Sequence, residues 1–338
     1  MFRPLVYIIF IFAGSLNAQT LGGNAVYNFL SQSNSAQLSS LGGVNVSNIG
    51  NDVGMVFHSP SLLREDMHAQ VSASFNSFLA GIRNYSLSGA RYFAKPQTNL
   101  AVGVNYFDYG TLTQTDASGN VYGTFRPVDY VVQVTASRQY HERFNYGITA
   151  KYINSNYGPY RSSAIAFDAG ISYYDSSRLL QVSLVVKNMG TQLSTYDGST
   201  AEELPFDLQA GITKRLANAP LQFSLTAHHL HRFNILYNDT TFRASEGEND
   251  YTGKQTIDNL FSHLVLSTQI FLSDKLELSA GYNFLRRQEL NAYNLTSGMN
   301  GFSFGTGLSV KKLQVKYATG FYQSNLFHQI SLNFKMIN

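Results

Sequence analysis

The chain has 338 residues and a formal net charge of +3, with 24 Phe, 22 Tyr, 27 Gly, no Cys, no Trp and only 13% charged residues. Without cysteine there is no disulfide framework and no thiolate metal site, and the thinly spread Lys and Arg form no basic face for a nucleic acid. Outside the first dozen positions no apolar run approaches the roughly 18 residues that a membrane-spanning helix needs.

Met1 to Ala18 reads as a cleavable secretory leader, with Arg3, an apolar run from Leu5 to Phe12, and Leu16-Asn17-Ala18 before Gln19. The apolar run is too short for an anchor. Residues 19–66 are different in kind: rich in Gly, Asn and Ser, with apolar residues in no steady period. The Gly42-Gly43 pair and the Ser59-Pro60 step indicate turns and short helical pieces rather than a ladder of strands. So irregular and uncharged a segment, placed before a barrel, is expected to fold into the lumen as a plug.

From residue 67 onward the chain alternates with period two. Strands are expected over 68–79, 82–93, 98–108, 128–139, 144–154, 163–174, 178–188, 204–215, 220–231, 258–272, 275–285, 300–310, 313–321 and 326–336. In one of them Leu100, Val102, Val104 and Tyr106 oppose Ala101, Gly103 and Asn105; in another Leu276, Leu278, Ala280, Tyr282 and Phe284 oppose Glu277, Ser279, Gly281 and Asn283. The second face is polar or small in nearly every strand. A soluble sandwich core would not tolerate that face, whereas a lipid-facing exterior around a polar lumen requires it. The expected fold is therefore all-β: a fourteen-stranded antiparallel transmembrane β-barrel with an N-terminal plug, comprising leader 1–18, plug 19–66 and barrel 67–338.

The connections supply a second line of argument. An even strand number puts both chain ends on the periplasmic side, with short turns there and long loops outside. Residues 94–96, 139–143, 175–178, 217–219, 273–274 and 311–312 make the short set. Residues 109–127, 155–162, 189–203, 232–257 and 286–299 make the long set, and only the outer turns near Ala80 and Ser324 are expected to be tight.

Candidate chemistry is sparse. His228, His229 and His231 cluster near the outer end of a strand, where His229 and His231 share one face. A metal site needs three or four converging ligands, and the spacing indicates no third, so no metal and no cofactor are expected. Ser59 beside His58 does not give the nucleophile–base–orienter geometry of a hydrolase, and no Gly-x-Ser-x-Gly turn occurs, so no enzyme is expected. Asp168, Glu277, Lys151, Lys187, Lys316 and Lys335 face the lumen, where pairing with one another or with the plug is the expected role. The outer loops are rich in aromatic residues. Tyr196, Tyr237, Phe242, Glu246, Glu248 and Tyr251 are the candidate partner-binding residues, since Tyr offers contact area at low entropic cost.

One stretch carries a family likeness. The run Ala36…Leu41-Gly42-Gly43…Asn51-Asp52…Val56-Phe57…Pro60…Leu63 ahead of fourteen strands resembles the N-terminal hatch of the FadL-like outer-membrane barrels. Where those barrels carry Asn-Pro-Ala-x-Leu, this chain has Ser59-Pro60-Ser61-Leu62-Leu63. The opening Leu21-Gly22-Gly23-Asn24-Ala25-Val26-Tyr27-Asn28-Phe29-Leu30 is similar to one branch of that family, the PorQ proteins of the type IX secretion system. The resemblance implies an outer-membrane, lipid-embedded anchor rather than an enzyme. It further implies a PorZ-like surface partner and, through it, the PorU/PorV attachment complex. The alternative that the wider family implies is transport of a hydrophobic small molecule. That mechanism would use a lumen pocket and a lateral opening at a strand bend, for which Gly103, Gly147, Gly170, Gly211 and Gly281 are candidates.

Overall fold

The computed structural model describes residues 25–116, 118–236, 252–290, 298–323 and 325–336. The leader 1–18 and five of the candidate loop residues, Tyr237, Phe242, Glu246, Glu248 and Tyr251, lie outside them.

Among the described residues sixteen strands follow in chain order. They are β1 (Gln70–Ser77), β2 (Arg83–Phe93), β3 (Thr98–Asp108), β4 (Leu112–Thr115), β5 (Val121–Phe125), β6 (Val128–Tyr140), β7 (Phe144–Tyr157) and β8 (Tyr160–Asp175). Then come β9 (Leu180–Ser194), β10 (Asp207–Arg215), β11 (Leu221–Ala227), β12 (Leu264–Phe271), β13 (Leu276–Asn283), β14 (Phe302–Val310), β15 (Leu313–Tyr322) and β16 (Asn325–Lys335). β4 and β5 form a separate hairpin on the β3–β6 connection. The other fourteen close one antiparallel barrel, sealed where β1 pairs with β16 from Gln70↔Lys335 to Ser77↔His328. Closure leaves no unpaired edge, which is what a sheet in hydrocarbon requires.

The period-two pattern becomes two surfaces. Leu87, Val102, Ile148, Leu225 and Leu332 point outward, and Ile148 keeps 62% of its surface exposed. Between them Ser72, Gln133, Thr149, Gln222 and Gln329 point inward and are buried. An apolar belt on the outside of a closed barrel is a surface for lipid, and the chain is a transmembrane β-barrel.

The two rims differ. At one, residues 94–97, 141–143, 176–179, 216–220, 272–275 and 311–312 link strands by short turns. At the other lie the connections through 109–127, 195–206, 228–263 and 284–301. Several expected boundaries move. β7 and β8 continue to Tyr157 and from Tyr160, so 155–162 is a tight turn at Gly158-Pro159 and not a long loop. β9 runs on to Ser194, while β11 stops at Ala227. The expected strand 258–272 begins as helix α2 (Thr252–Ser262), and α3 (Phe284–Leu290) takes over where β13 was expected to continue. In both helices polar residues interrupt the alternation that a strand would need.

Residues 25–67 fill the barrel. They form helix α1 (Ala36–Ser40) and short 3-10 turns, and Leu38, Leu41, Val46, Val53 and Leu63 are wholly buried. The segment starts at the long-loop rim, where Ala25 bridges Glu203 and the Tyr27 hydroxyl meets Ser162. It ends at the short-turn rim, where Lys335 Nζ donates to the Asp66 carbonyl at 3.3 Å. One expectation needs qualifying, because the inner wall is not polar throughout. Phe107, Val131, Ile153, Ala164 and Ala166 make an apolar patch, and Phe29, Leu30 and Phe57 cover it.

The outward set defines a test. Val134→Lys, near the middle of β6, should lower the unfolding free energy in urea by about 2–4 kcal/mol, and Tyr140→Lys at the rim by about 0–1 kcal/mol. Equal, near-zero costs at both positions would mean that Val134 faces water.

Candidate functional site in the filled lumen and at its mouth

Strands all round the wall bond to the N-terminal segment through inward side chains. From β16, Ser331 Oγ accepts the Ala36 amide at 2.8 Å, and from β14, Ser303 Oγ accepts the Gly42 amide at 3.1 Å. From β13, Ser279 donates to Ser40 Oγ at 2.8 Å. Gln222 of β11 donates to Asn48 at 2.8 Å, and Thr213 of β10 pairs with Ser47 at 2.9 Å. Across the lumen, Asn145 of β7 and Ser137 of β6 donate to the Leu63 carbonyl at 2.9 and 2.6 Å, and Ser172 of β8 to the Ser61 carbonyl at 3.1 Å. Each bond satisfies a polar group that would otherwise be buried without water, a loss of about 1–3 kcal/mol apiece.

The seven motif residues fall at this interface with one exception. Gly42 and Gly43 close α1 at φ +91° and +85°, and the Gly43 amide donates to the Leu38 carbonyl at 2.9 Å. A side chain on Gly42 would also strike Val265, so only glycine fits. Leu41 is buried with Leu38, Met55 and Leu62, and Leu63 with Val53, Val56 and Met67. Asp52 caps the turn Val53–Phe57, accepting the Gly54 amide at 2.8 Å. Pro60 opens the next turn against β7, where a Cβ on Gly147 would lie 2.5 Å from the Pro60 carbonyl oxygen. Asn51 is exposed.

Four of the six lumen charges form ion pairs. Lys151 Nζ lies 2.6 Å from Asp168 Oδ2, both wholly out of solvent, and Asp168 Oδ1 accepts the Asn188 amide at 2.8 Å. Lys316 bridges Asp52 at 3.3 Å and Glu277 at 3.5 Å. Lys187 donates to His58 Nδ1 at 2.8 Å.

At the long-loop rim a cavity of about 500 Å3 opens beside the segment, bordered by Asn28, His58, Lys187, Asp207, Arg286 and Glu289. His228, His229 and His231 also line it, just beyond the end of β11, and not as neighbours on one strand face. Asp207, absent from the sequence-based candidates, joins them. One ligand atom from each of Asp207, His229 and His231 lies within 4.8 Å of the others. Burial pushes the His231 imidazole down to about 4 and that of His228 down to about 3, so both rings are neutral at pH 7. The hairpin register carried a signal for Asp207: pairing Ala210 with Ala227 sets it opposite the residues just past β11.

Tyr196 is the one candidate loop residue described. It packs on the apolar patch with its ring 5.9 Å from that of Tyr157, and burial pushes its phenol up to about 12. Its ring is a packing element at the base of the loop.

No protein-family model matches the chain, and no curated protein sequence does. Among solved structures it is similar to two variants of a TodX monoaromatic hydrocarbon channel. To the deltaS2 mutant the TM-score is 0.51 at 11% identity, over 90% of this chain and 97% of the other. To the deltaS2S3 mutant it is 0.50 at 10% identity, over 88% and 96%. The likeness is one of fold. Fold and site together define an outer-membrane-type β-barrel with an occupied lumen.

The Lys151–Asp168 pair yields a prediction. Lys151→Met strands a buried carboxylate and should destabilise by about 3–5 kcal/mol. Lys151→Met/Asp168→Asn, which keeps an acceptor for the Asn188 amide, should cost less than the single change. Urea unfolding of both variants measures the difference; a double variant no more stable than Lys151→Met would show that Lys151 does not compensate Asp168.

Proposed function

We propose that the chain is an outer-membrane barrel, stoppered by its own N-terminal segment, whose outer loops anchor a surface partner. One observation carries the reading: the segment is bonded to strands on every side of the lumen and runs from rim to rim. A wall so engaged serves as a rigid foundation. In this reading the long connections face outward and both chain ends face the periplasm, and the plug motif Leu41, Gly42, Gly43, Asp52, Pro60 and Leu63 seats the stopper. The resemblance to the PorQ proteins supplies the partner class: a PorZ-like surface protein and, through it, the PorU/PorV attachment complex.

A second reading, passage of a hydrophobic small molecule, is favoured by a local feature and by the fold shared with the TodX channel variants. The β8–β9 ladder shifts register between Phe167 and Ala169, opposite Lys187 and Asn188, and the β9–β10 pairing ends at Lys187. A bulge of this kind bends a strand and interrupts a wall. Of the five glycines considered as bends, Gly170 adjoins this shift, and the other four do not behave so. At Gly103, Gly147, Gly211 and Gly281 the ladders continue in register, and the missing side chain makes room for Phe57, Pro60, Ser47 and Gly42.

Two measurements separate the readings. Reconstituted in a planar bilayer, the full chain should show no steady ion conductance; a stable open channel would overturn the stopper. A mild-detergent pull-down from the native outer membrane should recover a surface protein in stoichiometric amount, lost when residues 232–257 or 189–203 are deleted. Recovery of the barrel alone, with an apolar small molecule in its lumen, would favour transport.

A further inference from the structure

We propose that Asp207, His229 and His231 form a divalent-metal site of the zinc class at the long-loop mouth of the barrel. It is independent of whether the barrel anchors a partner or passes a ligand.

The donor set comes first. Two imidazole nitrogens and one carboxylate oxygen, with no sulfur, suit zinc and its neighbours in the first transition row. The three ligand atoms lie within 4.8 Å of one another, and His229 Nδ1 stands 3.6 Å from Asp207 Oδ1. Bonds of about 2.0–2.2 Å to a shared ion need donors at most roughly 4 Å apart. Small rotations of the two rings supply the rest.

The surroundings are those of a positioned ligand set. Asp207 is buried at the start of β10, and each of its oxygens is already oriented: the His229 amide donates to Oδ1 at 2.6 Å and Gln209 Nε2 to Oδ2 at 2.5 Å. Such bonds leave a second lone pair on each oxygen for a metal and fix the carboxylate's direction. The first of them also holds His229 in the left-handed region at φ 53°, a conformation costly for any residue but glycine. His231 rests edge-on against Phe206, with ring centroids 4.9 Å apart. Its Nδ1 is out of solvent with no hydrogen-bond partner among the described residues, and a bound ion would satisfy it. Two nearby cations are spoken for: Lys187 is turned to His58, and Arg232 pairs with Glu203 at 3.0 Å. The cavity lies on the remaining side, so a fourth position stays open to water or to a donor from a partner.

A bound ion would fasten the first turn of the 228–263 connection to the strand that follows the 195–206 connection. The bases of two long loops would then be held as one unit.

The test uses the full chain, isolated with a tag free of histidine, stripped with chelator and titrated with Zn2+ alone by calorimetry. One equivalent should bind, at least tenfold more tightly than to His229→Gln/His231→Gln and at least tenfold more tightly than to Asp207→Asn. Heat-modifiable gel mobility checks that the variants remain closed barrels. Should they not, Co2+ added to the wild-type chain decides the matter: an intense four- or five-coordinate visible spectrum supports the site, and a weak six-coordinate one overturns it. Equal Zn2+ binding by the wild type and both variants, or none by the wild type, also overturns it.

Discussion

Everything in this molecule depends on one constraint, that inward polar side chains need partners. In a wide barrel water provides them; here protein backbone does. The serines and amides of β6 to β16 meet the carbonyls and amides of residues 36–63, which have no regular ladder of their own to join. Two sets of groups that could not be buried separately are thus buried together. The inward glycines belong to the same bargain of shape. A Cβ on Gly281 would sit 2.2 Å from the Gly42 nitrogen, and one on Gly305 2.4 Å from Ser40 Cβ. They let one backbone pass close to another.

The buried charges give this packing its register. Lys316 with Asp52 and Glu277, and Lys187 with His58, join wall to segment at two places, whereas Lys151 with Asp168 pins β7 to the bulge between β8 and β9. A buried pair contributes little net stability over an apolar one, because removing two charges from water is costly. What it does penalise is displacement: sliding the segment by a residue would leave Asp52 alone and Lys316 with Glu277 only. The interface selects one placement among many that hydrogen-bonding serines would otherwise accept.

Much of this was legible in the chain, and the reason is the environment. Hydrocarbon enforces alternation so strictly that fourteen strands could be counted from Leu100, Val102 and Val104 or from Leu276 and Leu278, and closure, antiparallel order and the contrast of rims followed. Errors fell where the membrane no longer dictates the pattern. Past Ala227, residues 228–231 keep an alternating look but fold as a turn, in which the His229 amide bonds to the Asp207 carboxylate and the Leu230 amide to the Leu208 carbonyl. Thr252–Ser262 forms a helix, its apolar residues Ile257, Leu260 and Phe261 spaced three and four apart rather than two. The mouth was least legible of all. His229 and His231 are close in sequence, but Asp207 reaches them only through the β10–β11 hairpin register, which residue types alone mark weakly. Of the plug motif, the Gly42-Gly43 pair carried a local conformational signal, whereas the partners of Asp52 and Pro60 lie on strands far along the chain.

The strand lengths give the mouth its shape. β8 has 16 residues and β11 only 7, so the wall stands high along β6 to β9 and low along β10 to β13. On the low side the ladder is replaced by irregular chain: residues 204–206, the histidine turn, α2 and α3. Backbone groups that a taller wall would have paired are taken up by side chains instead, as when His263 Nδ1 bonds the His228 carbonyl at 2.7 Å and Asn188 donates to the Pro205 carbonyl at 2.8 Å. Side-chain bonds of this kind depend on single rotamers and break one at a time, whereas a ladder is cooperative. Three of the four long connections, 195–206, 228–263 and 284–301, adjoin this low side, above a filled barrel. A lower wall therefore leaves this sector of the rim held by single side chains rather than by a ladder, above strands that stay fully paired.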